Sequence, residues 1–324
     1  MSVKTRLLKV LEESRDRYVS GVALAKELSV SRNAIWKAVE SLRTEGYSIS
    51  AATNNGYRLE DSGDILSVAG ITKHIKTGGV FLVEVRETVT STNTILRDLA
   101  VKGMPEGFVL AAEGQTYGKG RHGRGFFSPA GNGAYFSLLL RPRTKAQDAS
   151  LITSAAAVAV ANAIEQVTGI NAGIKWVNDL FARGRKVCGI LTEATISMEN
   201  GMIESAVLGI GINITEPQKG YPREIEDIAG ALTSRNEGVE DERCRLIAAT
   251  LDNFWEYYQY LLERRFLDEY RSRSIILGQD IFVVTSNVKR PARALEIDDD
   301  CGLVVRYDDG ETTTLASGEV SIRQ

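Results

Sequence analysis

Gly118-Lys119-Gly120-Arg121-His122-Gly123-Arg124-Gly125-Phe126-Phe127-Ser128-Pro129-Ala130-Gly131-Asn132-Gly133 is the stretch whose reading sorts the folds open to this chain. Its first six residues satisfy G-x-G-x-x-G and follow a predicted strand, Phe108–Ala112. In a dinucleotide-binding fold such glycines open a helix whose N-terminus faces a pyrophosphate. Here the sequel is aromatic and glycine-rich and runs into another apolar strand, so that fold is excluded. A kinase glycine loop does lie between strands, but it requires His-Arg-Asp and Asp-Phe-Gly motifs, and the two histidines, His74 and His122, have neither context. Gly114 to Lys119 is one residue short of a Walker A loop, and Gly120 stands where Ser or Thr would hold magnesium. What remains is a basic hairpin loop. Its glycines let backbone amides approach a ligand, and Lys119, Arg121 and Arg124 suit a phosphate or carboxylate. Nine of the 30 glycines fall between Gly103 and Gly133. Each costs about 0.5–1 kcal/mol of ordering entropy, which argues for a working loop.

Outward from the loop, 324 residues predict two or three domains at about 100–200 residues each. Hydrophobic residues at 43% and charged residues at 25% exclude a largely disordered or fibrous chain. No apolar run is read as approaching the roughly 18 residues of a membrane span, and Met1-Ser2-Val3-Lys4 lacks a signal core, so the expectation is a cytoplasmic protein with no membrane partner. Cys188, Cys244 and Cys301 are too far apart for a zinc site or a disulfide framework, which fits a reducing compartment. The net charge of −3 hides a split: residues 1–62 carry ten Lys/Arg against eight Asp/Glu. That asymmetry hints at nucleic acid at one end.

The first region reads as three short helices and a hairpin. Lys4–Leu11 and Gly21–Leu28 carry apolar residues at helical spacing, and Ser31 reads as the N-cap of a third helix running to about Glu45. Ala34, Ile35, Val39 and Leu42 would face a core, while Arg32, Asn33, Trp36 and Lys37 project from the first turns. That is where a recognition helix keeps its base- and phosphate-reading groups. With Tyr47–Ile49, the turn Thr53-Asn54-Asn55-Gly56 and Tyr57–Leu59 the stretch resembles a winged helix-turn-helix, which implies Ser31, Arg32, Asn33, Trp36 and Lys37 as DNA-contacting candidates within Gly21 to Glu40; a small helical domain that docks protein or packs on the body is the competing reading.

The second region mixes predicted strands (Val80–Arg86, Phe108–Ala112, Ala134–Leu140, Ile174–Trp176, Val187–Ala194, Ile203–Ile212) with predicted helices (Ile65–Lys73, Asn93–Val101, Ala149–Val167, Asp241–Leu262). Runs of strands flanked by helices indicate an α+β arrangement. From Gly278 onward, five short strands (Ile281–Val284, Arg293–Ile297, Leu303–Tyr307, Thr312–Leu315, Val320–Ile322) predict a small barrel. The expected domains are 1–62, 63–274 and 275–324.

Polar clusters stand at strand ends and helix starts: Ser91-Thr92-Asn93, Gln115 with the loop, Lys175-Trp176-Val177-Asn178-Asp179, Gly189-Ile190-Leu191, Gly209–Asn213 and the terminal Ser317-Gly318-Glu319-Val320. In this order, behind a winged helix, they resemble the biotin–protein ligases, specifically the bifunctional ligase and biotin-operon repressor. Many members have proline at Val177 and arginine at Lys119, and Leu295-Glu296 replaces an expected glycine. The resemblance implies a central mixed α/β domain of the biotin/lipoate ligase, class II synthetase-like type, and a C-terminal SH3-like barrel.

It further implies that biotin and ATP give biotinyl-5′-AMP, that biotin passes to a lysine of a biotin carboxyl carrier protein or domain, and that magnesium accompanies the ATP phosphates. Metal ligands are not read from the sequence. The implied biotin contacts are Ser91, Thr92, Asn93, Gln115, Lys119, Gly120, Arg121, Lys175, Trp176 and Gly189; the implied ATP and adenylate contacts are Arg121, Arg124, Lys175, Asn178 and Asn213. Lys175 and Arg121 are the implied catalytic pair, acting by charge rather than as nucleophiles. His122 is read as a loop residue without acid–base duty, and Thr215 to about Glu224 as a segment that closes over the intermediate. The adenylate is expected to promote a homodimer on operator DNA. A lipoate–protein ligase, or a biotin sensor without ligase activity, are the competing readings.

Overall fold

The computed structural model describes residues 2–15, 17–53, 55–60, 64–233, 241–285 and 288–323. The expected turn residue Asn54 and the expected boundary at 62/63 lie outside the described residues. Helices α1 (Val3–Glu13), α2 (Gly21–Glu27) and α3 (Arg32–Thr44) and strands β1 (Ile49–Ala52) and β2 (Gly56–Leu59) form the first unit. Each helix is started by a serine: Ser2, Ser20 and Ser31 accept hydrogen bonds from the amides of Thr5, Ala23 and Ala34. Leu7, Leu8, Leu24, Ile35, Val39 and Leu42 bury the inner faces completely. Val19 bridges to Tyr57 as a further extended piece. Gly56 has φ +103, and a Cβ there would stand 2.1 Å from the Val19 carbonyl oxygen, so glycine is required.

The middle of the chain comprises α4 (Val68–His74), β3 (Leu82–Val89), α5 (Thr92–Val101), β4 (Phe108–Gln115), β5 (Gly133–Leu140), α6 (Ala149–Thr168), β6 (Gly173–Lys175), β7 (Asp179–Ala182), β8 (Arg185–Ile196), β9 (Ile203–Asn213), α7 (Glu242–Tyr258) and α8 (Leu267–Ser272). Its seven strands run in the order β3-β4-β5-β9-β8-β7-β6, parallel only between β3 and β4, where α5 makes the crossover. Leu96 and Ala100 of α5 pack with Leu110, Leu139 and Val207 on one face. Helices α6 and α7 cover the other, so the sheet is the middle of three layers. The fold class is therefore α+β as expected, and no helix follows the glycine loop, which is why no dinucleotide site forms.

Four expectations are corrected. The predicted strand Ile174–Trp176 ends at Lys175; Trp176 joins Val177 through a cis peptide, and a separate strand, β7, follows. The predicted helix Ile65–Lys73 starts only at Val68, because Ser67 caps it by accepting from the Gly70 amide. The helix predicted over Asp241–Leu262 stops at Tyr258, leaving the unpredicted α8 to form separately. Finally, α6 is by length and composition long enough to cross a membrane. It is a core helix instead: Ala155 through Ala161 are all fully buried, and their small side chains let the sheet and α7 close on it from both sides.

The last strands, β10 (Asp280–Thr285), β11 (Val288–Ile297), β12 (Leu303–Tyr307), β13 (Thr312–Leu315) and β14 (Glu319–Ile322), make an antiparallel sheet in the order β13-β12-β11-β10-β14. Strand β11 starts earlier than the predicted Arg293. Its register shifts between Ala294 and Glu296, so Leu295, at the position where glycine was expected, is absorbed in a bulge. Ile281, Ala294, Leu303 and Val305 bury themselves in the same core as the large sheet.

Candidate active site

Strand pairing assembles a row of residues across the central sheet. Lys175 pairs with Asp179, Asp179 with Gly189, Gly189 with Gly211, and Gly211 with Tyr135. Paired residues point to the same side of a sheet, so one row presents a cation, a carboxylate and two bare glycine positions side by side. The glycines are floor: a Cβ on Gly189 or Gly211 would meet the Phe126 ring at 2.9 or 2.4 Å. The loop thus folds back and lays Phe126 over the strands it precedes, while Phe126 N–H donates to the Gly118 carbonyl and Gly120 N–H to that of Arg124.

A cleft of about 270 Å³ opens on this row. All thirteen residues implied for biotin and ATP line it: Ser91, Thr92, Asn93, Gln115, Lys119, Gly120, Arg121, Arg124, Lys175, Trp176, Asn178, Gly189 and Asn213. One end is polar and closely wired. Ser91 caps α5, and Gln115 Oε1 accepts from the Thr92 amide at 2.9 Å while its Nε2 donates to Ser128 at 3.0 Å. Ser137 Oγ lies 2.7 Å from Thr92 Oγ1 and 2.6 Å from Asn93 Oδ1. Asn93 Nδ2 donates to Glu193, so this side chain is a strut under the wall. A Cβ on Gly209 would stand 2.0 Å from Asn93 Oδ1, which fixes glycine there.

The middle of the cleft is cationic. Arg121 donates to Asn178 Oδ1 at 3.1 Å and to the Gly318 carbonyl at 3.2 Å, which brings the C-terminal sheet to the rim. Lys175 makes no ion pair among the described residues; its ammonium lies 5.6 Å from the Phe181 ring centre. Burial lowers the pKa of both groups from their ordinary values, and Lys186 pushes Lys175 further the same way. Three expected contacts are already occupied by protein: Trp176 Nε1 donates to the Cys301 carbonyl, Asn213 Nδ2 to the Gly230 carbonyl, and Arg124 to both Glu319 carboxylate oxygens. His122 is exposed at the loop tip with φ 56.

Sequence reasoning missed Lys186. Alternation from Gly189 would turn position 186 away from the cleft, but β8 slips its register against β7: Leu180 pairs with Cys188 and Phe181 with Lys186. The bulge absorbs Val187 and returns Lys186 to the cleft face, where its ammonium is 2.6 Å from Asp179. The third wall comes from residues 221–229, with Tyr221, Ile225, Ile228 and Ala229 facing inward. The Lys186 amide donates to the Ile228 carbonyl and Asn132 Nδ2 to that of Glu216, which ties the segment to the sheet; of the expected stretch Thr215 to Glu224 only Tyr221 lines the cleft, and the rest of the wall comes from residues beyond it.

At the other end of the molecule, Arg32, Asn33, Trp36 and Lys37 are exposed on α3, with Trp36 52% accessible despite its size. Residues 85–213 match the biotin/lipoate A/B protein ligase family, and residues 3–58 match a helix-turn-helix domain family. The bifunctional ligase/repressor BirA of Bacillus subtilis is 33% identical over 314 residues, 95% of each chain. The chain belongs to the bifunctional biotin–protein ligase/repressor family. The family's Escherichia coli member, also named bifunctional ligase/repressor BirA, is 27% identical over 99% of this chain and 98% of its own. A biotin protein ligase of Aquifex aeolicus, solved with biotin and ATP, superposes with TM-score 0.58 at 26% identity over 75% of this chain and 98% of its own.

Proposed function

We propose that this chain joins biotin to ATP and passes the biotinyl group to a lysine of a biotin carboxyl carrier protein or domain, and that its adenylate-bound form represses transcription. The observation that carries the reading is the single cleft in which a neutral hydrogen-bonding end, a cationic centre and an aromatic wall meet. Biotin has a ureido head, a carboxylate and an apolar chain between them. Ser91, Thr92 and Gln115 offer donors and acceptors to the head. Lys175, Lys186 and Arg121 gather at the middle, where carboxylate and α-phosphate must meet.

In the first step a biotin carboxylate oxygen bonds to the α-phosphorus, the bond to the β-phosphate oxygen breaks, and pyrophosphate leaves. Arg121 and Lys175 hold the reacting anions together and offset the charge that builds on the phosphoryl oxygens. Lys186 shares its charge between Asp179 and the incoming phosphate, and Arg124 can exchange Glu319 for an outer phosphate. In the second step the carrier amine bonds to the acyl carbon, the acyl–oxygen bond breaks, AMP leaves and the nitrogen loses its proton to solvent. Residues 215–229 and the glycine loop exclude water meanwhile. Among the described residues no three His, Cys, Asp or Glu side chains stand together as a metal site. Magnesium would therefore enter with the triphosphate rather than occupy a protein cage.

The repressor form is a homodimer on operator DNA, with α3 reading the major groove through Arg32, Asn33, Trp36 and Lys37, and the site of action is the cytoplasm. Strand β8 supports pairing: β7 covers it only as far as Gly189, and among the described residues no strand pairs with residues 192–196 on the side away from β9. The domain division 1–62, 63–274 and 275–324 follows the DNA-reading, catalytic and rim-forming parts. Incubation with ATP, magnesium and either biotin or lipoate, followed by mass spectrometry of a carrier domain, tests the reaction. A mass gain with biotin alone is expected; a gain with lipoate alone overturns the reading.

A further inference from the structure

Helix α4 belongs to two cores at once. Ala69 is buried in the core of the first unit with Leu7, Leu11 and Leu42, while Ile71, and Leu66 just before the helix, are buried in the core of the catalytic body. Ala69 and Ile71 are two residues apart, so they stand on opposite sides of the helix. Polar contacts close the joint around it. Tyr47 Oη lies 2.9 Å from Ser67 Oγ, and Thr5 of α1 meets the Thr72 hydroxyl at 3.1 Å. Lys73 donates to Glu12 of α1 and to Asp241 before α7. Gly70 is hemmed in from both units: a Cβ there would stand 2.7 Å from Cys244 Sγ of α7 and 3.0 Å from Tyr47 Oη. A helix packed this closely has no room to turn against either core.

We propose that this joint fixes the spacing of the two operator half-sites that the dimer accepts. The inference rests on the repressor reading above and goes beyond it by naming what selects the operator's geometry. In a two-fold dimer the distance and angle between the two α3 helices follow from the contact between the bodies and from the seat of each winged helix on its own body. Two base pairs added between half-sites turn one of them by about 70° and carry it about 7 Å along the duplex. A unit seated on α4 cannot follow that change, so the second half-site goes unbound, whereas a loosely tethered unit would follow it. Arg32, Asn33, Trp36 and Lys37 then select the bases, and Glu12, Tyr47, Gly70 and Lys73 select the separation.

An operator is selected from random duplexes by the full chain with biotin, ATP and magnesium, and two base pairs are then added between its half-sites. Wild type should lose about 100-fold in affinity, the gain that simultaneous binding of both half-sites supplies. Glu12→Lys sets a second cation against Lys73 and should cut that loss to less than about tenfold, with affinity for a duplex carrying one half-site unchanged. The milder pair Glu12→Gln with Tyr47→Phe should move the same way, and it serves if Glu12→Lys does not fold. A wild type indifferent to spacing overturns the proposal, as do joint variants that keep the wild-type dependence on spacing. Equal losses on one half-site and on the whole operator would make the joint a support for the winged helix's own fold, and also overturn it. A wild type that selects no paired half-sites with biotin and ATP fails the repressor reading itself, a separate outcome.

Discussion

Two sets of buried cations lie in this molecule, and they are wired in opposite ways. At the joint between the winged helix and the catalytic body, Lys73 is 4% exposed and holds Glu12 of α1 and Asp241 before α7. Beside it, Arg243 is 6% exposed and pairs with Asp64, 2.8 Å away, and with Glu113 of β4, 2.5 Å away. Burial alone would lower both cations, but their carboxylates outweigh it, and both are raised. In the cleft, burial wins: Lys175 and Arg121 are lowered. A cation fully paired inside the protein is fastening two parts together, whereas a desolvated cation short of partners is waiting for an anion.

The largest effect should come from unfastening the joint. Lys73→Met leaves two carboxylates buried without their partner and is expected to cost about 3–5 kcal/mol in urea unfolding. A cost near zero would break the comparison. Lys175→Ala should do the reverse, leaving stability nearly intact and lowering the rate of pyrophosphate exchange by about 100- to 1000-fold; Lys186→Ala should lower the rate too, with a stability cost because Asp179 loses its partner. A lysine whose removal unfolds the protein without a catalytic loss in the folded fraction is a fastener, wherever it stands.

Smaller effects sharpen the boundary. Gly209→Ala forces its methyl against Asn93 Oδ1 and should cost about 1–3 kcal/mol while raising KM for biotin more than for ATP. If ATP suffers more, the polar end has been assigned to the wrong ligand part. The smallest signal is in pH. Burial would raise the Asp241 carboxyl, but His74, 3.7 Å away, and Lys73 outweigh it and hold it below its ordinary value. Its contribution is therefore present above the unfolded value, about 4, and is lost as pH falls below it. The Lys73→Met penalty should shrink as pH falls, first through Glu12, whose carboxyl burial already raises, and then through Asp241; a flat penalty would take both carboxylates out of the joint.

Local chemistry made much of this legible. Serine caps and the Asn55-Gly56 turn are decided within a few residues, and the helices of the first unit stand close to where those signals put them, while its first strand runs Ile49–Ala52 and not the expected Tyr47–Ile49. The cleft was legible for a related reason: its residues cluster at strand ends and in one glycine-rich loop, where backbone rather than packing sets the side-chain position. Failures occurred where distant contacts overrule the local pattern. The apolar run of α6 is composition without context, and the bond from the Trp176 indole N–H to the Cys301 carbonyl, 125 residues away, is not announced by either residue's neighbours.

By itself the sequence determined the three kinds of structure, the basic loop and most of the cleft, because periodicity and turn chemistry act over short spans. Only the tertiary structure decided which lysines do what. Lys186 reaches the site through a bulge that its own neighbours do not announce, since the register slip exists only against β7. Lys73 becomes a fastener because chain 61 and 168 residues away folds back on it. Charge is written in the residue, but its partner, and hence its work, is set by what packing brings within reach.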